Sequence, residues 1–151
     1  MSLLRRKPVD YFSQEEKDLM LDAVRSAEHA TSGEIRVFIE SHCRFVDAVD
    51  RAKEIFDALK MDATRDRNAV LLYVAMKDRQ LALWGDKGVH ERVGDEFWKT
   101  QVREILGHFK KDNYAQGIAT IVREVGTMLG RFFPHVDGGK NELPDDIVFG
   151  K

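Results

Sequence analysis

Apolar residues recur at helical spacing in four stretches of the chain and form strand-like runs in three others. The first helical stretch follows "DYF". Ser13 and Glu16 make a Ser-x-x-Glu capping box there, and Met20, Ala23, Val24 and Ala27 line one face. Thr31-Ser32-Gly33 stops this helix, with Gly33 suited to the left-handed cap position, so the helix is expected over about 13–30. "EIRVFIE", 34–40, alternates Ile35, Val37 and Ile39 against Glu34, Arg36 and Phe38, and predicts a strand. Phe45, Ala48, Val49, Ala52, Ile55, Phe56 and Leu59 mark a second helix over 45–61. "AVLLYVA", 69–75, is apolar on both faces and predicts a central strand covered on both sides. "MKDR", 76–79, reads as a hairpin turn and "QLALW", 80–84, as the return strand.

Trp98, Val102, Ile105, Leu106 and Phe109 mark a third helix, which "KKDN" breaks. Asn113 and Gln116 can cap a fourth, with Tyr114, Ile118, Ile121, Val122, Val125, Met128 and Leu129 on its apolar side and Pro134 closing it. Gly117, Gly126 and Gly130 fall inside that pattern, each costing about 1 kcal/mol against alanine. Close packing on the sheet explains them, or else the helix frays after Gly126. The pattern divides the chain into a leader over 1–12, a domain over 13–134 and a partly ordered tail over 135–151. The "IVF" near the end of that tail is either flexible or folded back on the body.

Strand 34–40, helix 45–61 and strand 69–75 make a β-α-β unit, whose strands should be parallel with a right-handed crossover. Strand 80–84 should return antiparallel through its short turn. The expected fold class is α/β: a three-layer α/β/α sandwich with a mixed, mostly parallel sheet and helices on both faces.

Composition narrows the function classes. The chain has 151 residues, 43% of them apolar and 33% charged, as in an ordinary soluble domain. A formal net charge of −2 supplies no field that would draw nucleic acid, and Arg5-Arg6-Lys7 is too short a basic run to change that. No window reaches the roughly 20 apolar residues of a membrane span. "MSLLRRKPVDYF" lacks the apolar core of a secretory signal. The single cysteine, Cys43, cannot make an internal disulfide. A cytoplasmic monomer is the expectation.

The element order also says which loops meet. The first two strands begin at one end of the sheet, and the third, running backwards, finishes there. Thr31–Glu34, Asp66-Arg67-Asn68 and Gly85–Glu91 should therefore converge. Glu34, Asp66, Asp86 and Glu91 bring carboxylates, His90 an imidazole and Arg67 a fixed positive charge. Clustered carboxylates repel unless something positive sits among them. A Ca²⁺ or Mg²⁺ ion, which prefers oxygen ligands, would serve. Arg67 and Lys87 would serve without a metal. The stretch "WGDKGVHERVG", 84–94, is thus either a binding turn, with Gly85 and Gly88 letting carbonyls approach a ligand, or a solvated polar rim.

The opposite end collects His42, Cys43, Lys77, Asp78, Arg79 and Asp112. A Cys–His pair invites a nucleophile reading, but adjacent strand residues point to opposite faces, and a packed thiol is the simpler role for Cys43. His90-Glu91 lacks the second histidine of a zinc-protease helix, and Gly85-x-x-Gly88 lacks the Gly-Lys-Ser/Thr of a phosphate loop. Trp84 and Trp98 read as core or pocket walls. Phe132-Phe133 reads as core or a partner patch.

"TSGEIRVFIE", "RNAVLLYVAMKDRQLALWGDKGVHE", "FW" and "FKKDNYAQGI" together resemble the TPM domain family over roughly Phe12 to Phe133. The family takes its name from a thylakoid-lumen acid phosphatase, a photosystem II repair protein and an acetylcholine-receptor modulator. The resemblance implies a mixed sheet between helices. It also implies a function that varies among members: divalent-cation binding, phosphatase activity, or action through a protein partner. The matched positions Thr31, Gly33, Glu34, Arg67, Asn68, Gly85, Asp86 and Gly88 all fall at the converging end. Lys87 and His90 stand beside the acids, a departure from a purely carboxylate calcium cage.

Two functions follow as expectations, beside the third reading of a purely structural domain. One is a divalent-cation (Ca or Mg) interaction module, with Asp86, Glu34, Asp66 and His90 as metal ligands. Arg67, Asn68, Gly85, Lys87, Gly88 and Glu91 would surround the ion, and a protein partner would read the ordered loops. The other is a metal-assisted phosphomonoesterase. There Asp86 would hold the metal or attack phosphorus, His90 would protonate the leaving oxygen, and Arg67 would steady the phosphoryl charge.

Overall fold

Backbone ladders decide the architecture. β1 (Glu34–Glu40) pairs in parallel with β2 (Ala69–Ala75), Glu34 opposite Ala69 and Glu40 opposite Ala75. β3 (Gln80–Gly85) returns antiparallel along β2 and runs one residue beyond the predicted 80–84. The computed structural model describes residues 7–44, 47–135 and 147–151. In the last of these segments Ile147–Phe149 form β4, parallel to β1 on its other edge, so the sheet order is β3-β2-β1-β4. The "IVF" segment therefore folds back. It occupies an edge that would otherwise present unpaired N–H and C=O groups.

The alternation of β1 sends its residues to two different layers. Ile35, Val37 and Ile39 join Val70, Leu72, Val74, Leu81 and Leu83 in a core closed by α1 (Gln14–Ala30), α4 (Asp95–Lys110) and α5 (Tyr114–Phe132). The other face, with Leu71, Tyr73 and Ala82, is covered by α2 (Ala48–Ala58) through Ala52, Ile55 and Phe56. This is the expected three-layer α/β sandwich with a mixed sheet. Leu72 is 1% exposed, as a strand buried on both faces requires. Phe12, assigned to the leader by pattern, is buried in the larger core and meets the Phe149 ring.

Four local expectations change. α2 begins at Ala48, after an Asp47 side chain that accepts from Val49 N, and Phe45 lies outside the described residues. Helix α1 starts on the Ser13–Glu16 box as expected, but Gly33 is not its left-handed cap. Thr31 follows the helix in extended backbone, and its hydroxyl accepts from Gly33 N and donates to Phe133 O. Gly33 answers instead to space, since a Cβ there would stand 3.0 Å from Asn68 O. The glycines of α5 serve approach to other helices rather than to the sheet. Gly126 meets Ala27 of α1, Gly130 meets the Ala30 carbonyl and Gly117 meets His108 of α4, and the helix continues past Gly126 to Phe132. Finally, "DKGVHERV" is not a turn. Asp86 caps a short helix, α3 (Lys87–Val93), which Gly94 ends at φ 80°.

Candidate functional site

The three segments that topology brings to the start of β1 and β2 do meet, and backbone bonds hold them. Asp86 N donates to Ala69 O at 2.9 Å and Gly88 N to Arg67 O at 2.9 Å. Gly88 is needed for this contact, because a Cβ there would lie 2.3 Å from Asp66 O and 2.8 Å from Arg67 O. The small residue lets α3 rest on the 66–67 backbone, which fills the space beside it.

Asp86 is the centre of the arrangement. It is 5% exposed, and a fork of Arg67 holds its carboxylate, Nε to Oδ2 at 2.6 Å and an Nη to Oδ1 at 2.9 Å. Oδ1 also accepts from Lys87 N at 2.8 Å, which caps α3 and places the negative charge at the positive end of that helix. The Arg67 guanidinium is held above its ordinary pKa, first by the hydrogen bond to Asp86 and then by its charge. Two features of the pair are uneven. The Arg67 side chain is 47% exposed while its partner is buried, and its backbone sits in the left-handed region at φ 50°. Non-glycine residues adopt that conformation at a cost, as Lys60, Arg79 and Asp112 also do in this chain.

Next to Arg67, Asn68 is 1% exposed. Among the described residues, neither its side-chain oxygen nor its nitrogen finds a hydrogen-bond partner. A buried amide left this way costs about 1–3 kcal/mol; Trp98 Nε1 and Gln101 Oε1 are also buried without a partner among the described residues.

The remaining expected residues are more dispersed. Glu34 is buried, opposite Ala69 at the start of the ladder. Asp66 lies outward, 43% exposed and 3.6 Å from Arg65. His90 is on the outer face of α3 against tryptophan, 5.3 Å from the Trp84 ring and 6.4 Å from Trp98, while Lys53 sits over Trp84. Lys87 and Glu91 are exposed on α3. Gly85 packs beneath Trp98 and Val89. Among the described residues, no three His, Cys, Asp or Glu side chains stand close enough to hold a metal ion. The donors fit a hard cation in kind, as carboxylate and amide oxygens. Arg67 already supplies the positive charge that Asp86 would otherwise take from a cation. Beside the site, Ser32, Asp66, Arg92 and Phe133 line a cleft of about 300 Å³.

Sequence pattern missed a second buried charge system, on the α2 face. The Tyr73 hydroxyl donates to Glu40, and Arg51 forks onto the same carboxylate at 2.9 Å through Nε and 2.9 Å through an Nη. Burial, then the bond to Glu40, pushes the Tyr73 phenol well above its ordinary value, so it stays a neutral donor. The available signal was a tyrosine inside the apolar run of β2 and an acid at the end of β1. At that same end Asp78 accepts from Cys43 N at 2.7 Å and stands 3.2 Å from His42 Nδ1. His42 is thereby oriented by an acid and is not paired with the thiol as a base.

Known proteins share this fold. The sequence model of the TPM domain matches residues 6–128. The NMR structure of BA42 from the psychrophilic bacterium Bizionia argentinensis is 39% identical, with 99% of this chain and 100% of that one covered and a TM-score of 0.85. The N-terminal domain of a protein from P. gingivalis shares 16% identity over 86% of this chain and 95% of that one, with a TM-score of 0.67. The N-terminal domain of the cg2496 protein of Corynebacterium glutamicum shares 14% over 78% and 73%, with a TM-score of 0.62. These two show the fold alone. No curated protein sequence matches the chain.

Proposed function

We propose, for a chain that belongs to the TPM domain family, that its function is to bind a divalent cation (Ca²⁺ or Mg²⁺) at the Asp86 end of the sheet and to present the ordered loops to a protein partner. The observation that carries this reading is the buried, unpartnered amide of Asn68, beside a buried carboxylate held by a strained and half-exposed arginine. Asp86 and Asn68 would hold the ion, with Glu34 and Asp66 as further oxygen donors and His90 a more distant candidate. Arg67 acts as the resident counter-charge: it neutralises Asp86 in the absence of an ion and must leave when one binds. Binding is therefore coupled to movement of the 66–68 segment, and a partner can read that movement through the cleft beside it.

Calorimetric titration with Ca²⁺, Mg²⁺ and Zn²⁺ tests the reading. Asp86→Asn should weaken binding about tenfold or more, near 1.4 kcal/mol, and Asn68→Ala should weaken it in the same direction. Absence of binding by the wild type, or equal binding by Asp86→Asn, removes the cation from the account. Metal-assisted phosphomonoester hydrolysis is the catalytic alternative. Its signature is chelator-sensitive turnover of an aryl phosphate that is lost in His90→Ala. Binding is favoured because it needs no proton donor, and His90, the acid that hydrolysis would require, lies against Trp84 and Trp98.

A further inference from the structure

The cation reading does not use the end of the sheet opposite Asp86. β1, β2 and β4 are parallel strands in one sheet, and they finish together. Crevices outside the carboxyl ends of parallel strands are where open α/β sheets take ligands. A cavity of about 750 Å³ opens there, and Lys7, His42, Arg44, Lys77 and Lys151 line it. Its lining among the described residues contains no carboxylate side chain. The whole chain has a formal net charge of −2, so this is a local segregation of positive charge and not a generally basic surface.

Two neighbouring acids, Asp78 and Asp10, are held by backbone N–H groups. Asp78 accepts from Cys43 N and faces His42 Nδ1, and Asp10 accepts from Lys7 N at 3.3 Å. Asp78 orients the His42 ring, leaving Nε2 as the nitrogen available to a ligand. The floor is held by backbone bonds that continue the sheet: Lys77 N to Ser41 O at 2.8 Å, Ser41 N to Lys151 O at 3.1 Å and Gly150 N to Ile39 O at 2.7 Å. Four lysine and arginine side chains thus border one space, whose positive charge an anion would offset. Pro8, Val9 and Phe149 supply an apolar wall. The cavity falls within the roughly 300–1,000 Å³ of small-molecule sites.

We infer that this cavity binds a small organic phosphate carrying two or more negative charges, with its phosphates among Lys7, Arg44 and Lys77 and its organic part against Phe149 and Pro8. The test is an amide NMR titration of the full chain at low salt with inorganic phosphate, pyrophosphate and ADP. The double variant Arg44→Gln/Lys77→Gln is titrated in parallel. Both substituted side chains are exposed, and the dispersion of the spectrum verifies the fold. Expected are shifts at Ser41, His42, Lys77 and Gly150, none at Arg67, Asn68 or Asp86, and tighter binding of ADP than of pyrophosphate. Affinity should fall about tenfold or more in the double variant, through loss of charge-assisted hydrogen bonds. The inference is overturned if none of the three moves these resonances at millimolar concentration, or if the double variant binds as the wild type does. It is equally overturned if only anionic phosphatidylglycerol vesicles act on them, which would make the end a lipid-facing surface. Since the two sites lie at opposite ends of the sheet, failure here leaves the Asp86 proposal standing, and the reverse.

Discussion

Gly126→Ala and Gly107→Ala make the same chemical change in helical backbone, and the structure assigns the two variants different stabilities. Gly107 lies on the exposed side of α4, and a Cβ built there meets nothing within 4 Å. Alanine should then stabilise the protein by about 0.5–1 kcal/mol through helix propensity and a less flexible unfolded chain. At Gly126 the same gain is opposed. A Cβ there would stand 2.6 Å from Ala27 Cβ and 2.8 Å from Ala27 Cα. Carbon atoms prefer about 3.5–4.0 Å, so α1 and α5 must part by about 1 Å. Neither helix yields easily, because one turn on, Gly130 approaches the Ala30 carbonyl as closely. Overpacking of this kind costs about 1–3 kcal/mol. The propensity gain is common to both variants and cancels in their difference, so Gly126→Ala should be less stable than Gly107→Ala by about 1–3 kcal/mol. Urea unfolding of the two side by side reads that difference, with unchanged m-values showing that the states compared are the same. Equal stabilities would mean that α1 and α5 do not approach as described, and the account of the α5 glycines would fail.

Leu72→Ala should cost about 2–5 kcal/mol by denaturant unfolding, since the side chain is 1% exposed in the central strand; a loss below about 1 kcal/mol would refute its central place. Arg67→Gln removes the competitor for Asp86, so Ca²⁺ or Mg²⁺ should bind more tightly by calorimetry and raise the variant's melting temperature more than the wild type's. Unchanged affinity would show that Arg67 does not compete. Asp78 is held below the usual carboxylate range, first by the Cys43 N–H and then by His42. Its contribution to stability is therefore present above its unfolded value of about 3.9 and lost as pH falls through the lower folded value. Asp78→Asn should lower stability at neutral pH and flatten the acid limb of the stability curve, and an unchanged limb would refute this.

The elements of the sheet were legible in the sequence because they depend on near neighbours. A period of two in 34–40, an apolar run at 69–75 and a four-residue turn dictate strands and a hairpin, and a helical connection forces β1 and β2 to be parallel. From that topology alone, Arg67 and Asp86 had to fall at one end. What tertiary structure decided is finer. That Asp86 is met by the Arg67 fork, from an arginine whose backbone sits at φ 50°, is encoded by no periodicity. The helix over Lys87–Val93 was hidden by its two flanking glycines. Gly88 is explained only by the Asp66 and Arg67 carbonyls beneath it, which lie some 20 residues away in sequence. The placement of "IVF" beside β1 depended on which edge of the finished sheet was still open, and the cations around the second cavity come from segments as distant as Lys7 and Lys151. Local hydrophobic pattern chooses the elements because burial is non-directional. Hydrogen bonds and charge pairs are directional and short-ranged, so they become definite only once the elements have packed.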